Sequence, residues 1–176
     1  LREGAKKVMA RWREWYGFPV VAEIEAESQP AQPPKDGPRQ AAFFSGGIDA
    51  FYTALDFGDG SGRAQRGPID DLILVHGFDV KLYTKELLER ASMGAHVTAE
   101  TLGYGIVDLT TNLHDTRLPK VPWGEIGHGA ALVSCALALE GRYTRILMPS
   151  SYTVEHAPPW GSHPEQDPLL STSSYE

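Results

Sequence analysis

The chain has 176 residues and a mass of 19.3 kDa, which corresponds to one domain at about 150 residues per domain. Its net charge of −7 argues against a free-standing nucleic-acid-binding protein, which needs a basic face to bind phosphates. The single cysteine, Cys135, excludes an intramolecular disulfide and a Cys-rich zinc site, and no apolar run approaches the roughly 20 residues of a membrane helix.

The two ends of the sequence bear on its cellular context. Leu1 stands where a start methionine would, and the chain stops soon after a Pro-Trp-Gly-Ser-His-Pro motif at 159–164. We therefore expect that a longer polypeptide extends beyond one or both ends. The first 16 residues are amphipathic and basic and lack the apolar segment of a secretory signal, so we expect a cytoplasmic protein.

The first 38 residues are predicted to form an N-terminal arm. Residues 1–16 carry a local charge of +3 and place apolar side chains at helical spacing, which predicts a helix. Residues 18–27 alternate apolar and polar side chains like a half-buried strand. Four prolines in residues 28–38 indicate a linker, so residues 39–176 are predicted to form the main domain.

From Gln40 onward, short apolar runs alternate with helical patterns. This alternation predicts an α/β fold with a parallel sheet and helices on both faces, in which ligands bind beyond the carboxyl ends of the strands. Polar or glycine-rich residues follow each predicted strand. The predicted strands are 41–44, 71–76, 105–109 and 145–149, the predicted helices are 48–55, 82–93 and 130–139, and the expected site segments are 45–50, 76–79, 110–112 and 150–167.

The turn after the first strand is the most informative stretch. Ser45, Gly46 and Gly47 lie between an apolar strand and the start of a helix, where exposed amides and the helix dipole favour an anion. Asp49 is unfavourable beside a phosphate unless a divalent cation lies between them, which predicts an Mg²⁺ ligand. The alternative is a plain strand–turn–helix connection with Asp49 as a helix N-terminal acid.

The sequence SGGIDAFYT at 45–53 resembles the SGGxDS signature of the PP-loop ATP pyrophosphatases, the adenine nucleotide alpha-hydrolase-like superfamily. The resemblance implies ATP and Mg²⁺ as cofactors. Ala50 departs from the signature, since the family has a serine there whose hydroxyl contacts pyrophosphate. Losing that contact would weaken binding by about 1 kcal/mol.

The resemblance extends in layout over 40–172. The helix and strand at 121–151 are similar to those of the 7-cyano-7-deazaguanine synthase group, and the motif at 159–164 resembles a stretch in an uncharacterised branch of the superfamily. The implied fold is a Rossmann-like, five-stranded parallel sheet in the order 3-2-1-4-5. The cysteines that bind zinc in that synthase are absent, which argues against the same substrate reaction.

Further candidates follow the second and third strands. The resemblance places His76, Gly77 and Phe78 beside the adenosine, and Asn112 within reach of the ribose or substrate. For His76 the alternative is a strand-end histidine before a tight turn, and for Asn112 it is an Asx turn.

The start of the last helix supplies another candidate. His128 lies among Gly124, Gly127 and Gly129, an entry that we interpret as flexible, and it is a candidate catalytic donor or acceptor. A polar residue at a helix start is the alternative. Cys135 is predicted to belong to the core.

The terminal loop combines an aromatic ring, two imidazoles and a carboxylate on a proline-restricted segment. We predict that it contacts the substrate, with His163 also a catalytic candidate. A metal site at His156, His163 and Asp167 and a surface loop plugged by Trp160 are the alternatives. The predicted substrate-binding residues are Ser150, Ser151, His156, Trp160, His163 and Asp167.

Three functions remain open at this point. The first is an ATP-dependent enzyme that adenylates a small acid or amide, releases pyrophosphate and transfers the product to a nitrogen or sulfur nucleophile. The second is a non-catalytic nucleotide-binding module or regulatory subunit. The third is a tRNA thiolation enzyme, although no basic RNA-facing region or cysteine pair is present. We expect a small-molecule substrate and neither nucleic acid nor membrane as a partner, and the sequence is compatible with a homodimer.

Overall fold

Strands and helices alternate along the main part of the chain. The computed structural model describes residues 1–17, 22–27, 34, 37–57, 67–116 and 121–172. Its elements are α1 (Arg2–Tyr16), β1 (Gln40–Phe43), α2 (Ile48–Asp56), β2 (Asp71–His76), α3 (Lys85–Leu102), β3 (Gly105–Thr110), α4 (His128–Ala138) and β4 (Arg145–Leu147), with short helical turns at Leu113–Asp115, Trp123–Gly127, Val154–His156 and Asp167–Leu170.

The strands of the described chain form one parallel sheet in the order β3-β2-β1-β4. Ala41 of β1 pairs with Asp71 on one side and with Ile146 on the other. The chain runs from β1 through β2 to β3 and then crosses to the opposite side of β1. The direction of winding therefore reverses beside β1, and such a reversal opens a crevice at the carboxyl ends of the strands.

Apolar side chains on both faces of β1 explain why the sheet is covered on both sides. Ala41 and Phe43 pack in a cluster with Ala131 and Cys135 of α4. Ala42 and the following Phe44 point to the opposite face, in a cluster with residues of α2 and α3. Fully buried parallel strands need such continuous apolar runs.

The predicted α/β fold with a parallel sheet is confirmed, with four strands in the order β3-β2-β1-β4 among the described residues, and the predicted fifth strand is not confirmed there. The fifth strand was implied by the resemblance and had no apolar run of its own. After β4 the described chain instead forms loops and 3₁₀ turns, because prolines at 158, 159, 164 and 168 remove backbone donors that a strand would need.

The predicted strand at 18–27 is wrong over 22–27, which have no regular secondary structure, and 18–21 lie outside the described residues. Alternation alone does not provide a partner strand for the backbone groups. Most of the predicted linker at 28–38 also lies outside the described residues.

Helix α1 packs on the C-terminal segment. Gly4 approaches the Leu169 backbone so closely that an added Cβ would lie 1.5 Å from its carbonyl oxygen. Arg11 forms an ion pair with Glu165 at 3.2 Å. The N-terminal helix thereby holds the segment that follows the sheet. Within the described ranges, no helix has the length and apolar character required to cross a bilayer.

Candidate functional site

A cavity of about 240 Å³ lies at the carboxyl ends of β1 and β2, where the topology predicts a ligand site. It brings together candidates from four separate segments of the sequence. The predicted site residues that line it are Ser45, Gly47, Asp49, Ala50, His76, Phe78 and His128, and Ser162 of the expected segment 150–167 lines it as well.

The turn between β1 and α2 forms one wall of this cavity. Gly46 has φ of +79°, a conformation that favours glycine, and a Cβ built there would meet nothing within 4 Å. The Gly47 amide donates to Ser45 Oγ at 3.3 Å. Within the described chain, the amides of Ser45 and Gly46 have no hydrogen-bond acceptor, and both residues are exposed. The turn therefore offers free donors to an anion.

Asp49 lies in the first turn of α2, next to the end of β4. Ser151 Oγ donates to Asp49 Oδ2 at 2.6 Å, which links two predicted site residues across 102 positions of the chain. The other carboxylate oxygen has no hydrogen-bond partner among the described residues. Ala50 is 3% exposed and turns its methyl group into the core on the α2 side of the sheet.

The end of β2 forms the facing wall. Gly77 has φ of +102°, and an added Cβ would lie 1.9 Å from the Thr111 carbonyl oxygen, so only glycine fits this turn. The turn places His76 and Phe78 on the cavity, and the Phe78 ring packs edge-on to Trp123 with centroids 5.2 Å apart. Asn112 is exposed and does not line the cavity.

His128 begins α4 directly after the π-helical turn Trp123–Gly127, a distortion that frequently marks functional sites. Its Nδ1 lies 3.0 Å from the Gly124 carbonyl oxygen, so Nδ1 carries the proton in the neutral ring and Nε2 is an acceptor. His128 is thus held in one orientation at the cavity.

The glycines around His128 allow close packing, and the flexible entry that we interpreted from them stays a prediction that this packing does not favour. An added Cβ would lie 2.6 Å from the Trp160 ring at Gly124 and 1.7 Å from the Gly161 carbonyl oxygen at Gly129. The loop containing Trp160 and Gly161 is pressed onto the start of α4. This packing carries Ser162 to the cavity.

The remaining residues of the terminal loop hold the loop together, outside the cavity lining. His163 is 8% exposed and packs against Trp15 of α1 with ring centroids 4.8 Å apart. Asp167 accepts a hydrogen bond from Ser162 Oγ at 2.7 Å, and its burial raises the pKa of its carboxyl group. The predicted catalytic role of His163 stays a prediction that this position does not favour.

Two other predicted substrate-binding residues, Ser150 and His156, lie on the exposed side of the loop. Ser150 Oγ donates to the Tyr152 carbonyl at 3.2 Å, and Thr153 Oγ1 lies 3.0 Å from His156 Nδ1. No group of three His, Cys, Asp or Glu side chains in the described ranges is arranged to hold a metal ion, so the alternative of a loop metal site has no geometric support.

Cys135 of α4 is buried in the core, as predicted. Burial raises the pKa of its thiol to about 11, so the sulfur is uncharged at neutral pH. A nucleophilic thiolate at this position is therefore not available to the site.

Sequence reasoning missed the apolar part of the cavity wall. Trp123 and Leu132 come from the π-helical turn and α4, and Asp79 follows the Gly77 turn. The helical spacing of Leu132 indicates only burial, since a residue between a sheet and a helix has the same pattern as one beside a cavity. Asp79 lies in the expected site segment 76–79, although the sequence predicted no specific role for it.

A second cavity of about 270 Å³ lies beside β4 and the turn Asp167–Leu170. Its lining is mainly apolar, and Asp167 is the one predicted site residue on it. Ligand sites combine an apolar wall with convergent polar groups. The cavity at β1 and β2 meets that description better.

Comparison of the chain with protein-family models, with curated proteins and with solved structures finds no match.

Proposed function

We propose that the cavity at the ends of β1 and β2 binds the phosphates of ATP and that the protein is an adenylating enzyme of the PP-loop ATP pyrophosphatase type. One observation carries the proposal: the exposed Ser45 and Gly46 amides, free of acceptors in the described chain, lie beside a cavity lined by Asp49. Free amides at the start of a helix favour anions. The Rossmann-like relationship and the resemblance to PP-loop enzymes belong to this proposal.

The oxygen atoms of Asp49 and Ser151 are suitable ligands for an Mg²⁺ ion. Asp49 Oδ2 accepts from Ser151, and the second oxygen has no described partner. Mg²⁺ is commonly held by one or two carboxylates together with substrate phosphates and waters. When bound, the ion would neutralise charge on the leaving pyrophosphate. Asp49 and Ser151 would hold it, and the turn amides would orient the phosphates.

The proposed reaction joins an acid to the α-phosphorus of ATP. A substrate oxygen forms a bond to this phosphorus while the bond to the β-phosphate oxygen breaks and pyrophosphate leaves with the electron pair. A nitrogen or sulfur nucleophile then displaces AMP. The cavity is smaller than the roughly 300–1,000 Å³ of typical ligand pockets, so part of the nucleotide and the acid would extend beyond it.

A non-catalytic nucleotide-binding module is the second candidate, and one observation favours it. No lysine or arginine of the described chain lines the cavity, although the α-phosphate develops charge during adenylation. Ala50 also lacks the hydroxyl of the resembled signature. A module would bind ATP and release no pyrophosphate.

Pyrophosphate release with Mg·ATP and a set of small acids tests the proposal. The wild-type chain should release pyrophosphate and AMP, and Asp49→Asn should lower the rate at least about 100-fold, as expected for loss of a charge-stabilising group. Asp56→Asn, at the far end of α2, is the matched control and should retain the wild-type rate. Binding of Mg·ATP without release would favour the module, and absence of binding would contradict both candidates.

A further inference from the structure

A cluster of titratable side chains lies outside the Ser45–Gly47 turn and reaches the same cavity through His76. Asp108 of β3 lies between two imidazoles: its Oδ1 is 2.6 Å from His76 Nε2 and its Oδ2 is 2.5 Å from His96 Nε2. Ser92 Oγ donates to Asp108 Oδ1 at 3.3 Å. The cluster thus joins β2, β3 and α3.

The hydrogen bond to Asp108 determines what the other ring nitrogen of His76 can do. Because a carboxylate only accepts, Nε2 of His76 carries a proton. Its Nδ1 has no partner among the described residues, and His76 lines the cavity. In the neutral ring Nδ1 is an acceptor, whereas in the imidazolium it is an N–H donor.

The charges around His76 make this difference important for an anionic ligand. Among the described residues that line the cavity, Asp49 of α2 and Asp79 after β2 are the acidic ones, and His128 of α4 is the other imidazole. With both of its histidines neutral, the Asp108 cluster carries a charge of −1, and with both protonated it carries +1. A phosphate is repelled in the first state and attracted in the second.

We propose that protonated His76 is the cationic contact for the α-phosphate of the bound nucleotide, with Asp108 and His96 as the positioning residues that orient and stabilise the imidazolium. The inference rests on the proposed function. It supplies, from a histidine, the positive charge that no lysine or arginine brings to the described cavity wall. Burial raises the pKa of Asp108, but its hydrogen bonds to His76 and His96 outweigh burial and lower that pKa, which keeps the carboxylate charged.

Calorimetric titrations with AMP, Mg·pyrophosphate and Mg·ATP between pH 6 and pH 8 test this assignment. AMP has only the α-phosphate, and Mg·pyrophosphate should bind the Ser45–Gly47 turn. We expect His76→Gln to weaken AMP and Mg·ATP binding about tenfold at pH 6 and little at pH 8, because only the protonated imidazole carries a positive charge that attracts phosphate. Mg·pyrophosphate binding should be unchanged. Titration of the phosphates cancels in the ratio of variant to wild-type affinity.

Variants of Asp108 distinguish a loss of His76 orientation from a loss of folding. Asp108→Asn should weaken AMP binding at pH 6 and move its pH dependence to lower pH, and Asp108→Glu should restore part of both. His114→Gln, at a histidine outside the cavity lining, is the matched control and should keep the wild-type pH dependence. Thermal unfolding of each variant reports whether it is folded.

The outcomes are distinguishable. Wild-type-like AMP binding by His76→Gln at pH 6, an equal loss for Mg·pyrophosphate, or a loss that does not change with pH would overturn the inference and leave the proposed function standing. If the wild-type chain bound none of the three ligands at any pH, the proposed function would fail and the inference with it.

Discussion

At the residue scale, a buried polar contact lies at the end of the sheet opposite the cavity. Asp71, at the amino end of β2, is 2% exposed, and its Oδ2 accepts hydrogen bonds from Arg39 at 2.8 Å, Arg142 at 3.1 Å and Tyr143 at 2.6 Å. A buried carboxylate without partners is strongly destabilising. These three donors join β2 to the residues that flank β1 and β4.

Removing the Tyr143 hydroxyl measures how much this contact contributes to the free energy of unfolding. Its ring is fully buried, and burial together with Asp71 raises the pKa of its hydroxyl, which therefore stays a donor across the neutral range. Tyr143→Phe should lower the free energy of unfolding by about 2 kcal/mol, as for a lost hydrogen bond to a charged group. In urea the midpoint should fall by about 1 M.

Tyr83→Phe is the matched control for that measurement, since Tyr83 is 78% exposed and makes no described hydrogen bond. Its urea midpoint should equal that of the wild-type chain. Equal midpoints for the two variants would show that the Tyr143 hydroxyl does not stabilise Asp71.

At the scale of elements, the start of α4 and the terminal loop form one packed unit. The Gly161 amide donates to the Gly124 carbonyl at 2.9 Å, and Gly129 lies against the Gly161 carbonyl. His128 and Ser162 reach the cavity from the two sides of this contact. The loop and the helix therefore position the site together.

Two glycine-to-alanine substitutions in helices test this packing. Gly129→Ala places a Cβ 1.7 Å from a backbone oxygen, which cannot move as a side chain would, so we expect a loss of about 2–3 kcal/mol. Gly94→Ala in α3 meets nothing within 4 Å and should stabilise the protein by about 0.5–1 kcal/mol. Thermal unfolding should show the first variant melting about 4–10 °C below the wild-type chain.

The two variants are matched because each removes the same backbone freedom inside a helix. They differ in the space around the new methyl group. A melting temperature for Gly129→Ala at or above that of Gly94→Ala would mean that the loop does not press on α4 as described.

At the scale of the whole molecule, the sequence predicts those parts of the fold that depend on local patterns. The strand Asp71–His76 was predicted to the residue because an apolar run ends there at a histidine and a glycine. Helix α3 extends to Leu102, nine residues beyond the predicted end at 93. Its second half packs on the core through Ala95 and Ala99, small side chains that give only a weak apolar pattern in the sequence.

The candidate site likewise has a part that local sequence patterns predict and a part that they do not. Ser45, Gly47 and Asp49 are adjacent in sequence, so one motif predicts them. The contact between Ser151 and Asp49 and the contact between Asp108 and His76 join distant segments, and only the sheet order brings them together. Asp108 interrupts an apolar strand, which was the one local sign of its role.

A structure of the protein with Mg²⁺ and a non-hydrolysable ATP analogue would show whether the Ser45–Gly47 turn binds phosphate. We expect phosphate oxygens within about 3 Å of the Ser45 and Gly46 amides, with the ion at Asp49. Well-defined density for the analogue elsewhere, or no analogue at saturating concentration while the turn stays solvent-filled, would contradict this expectation.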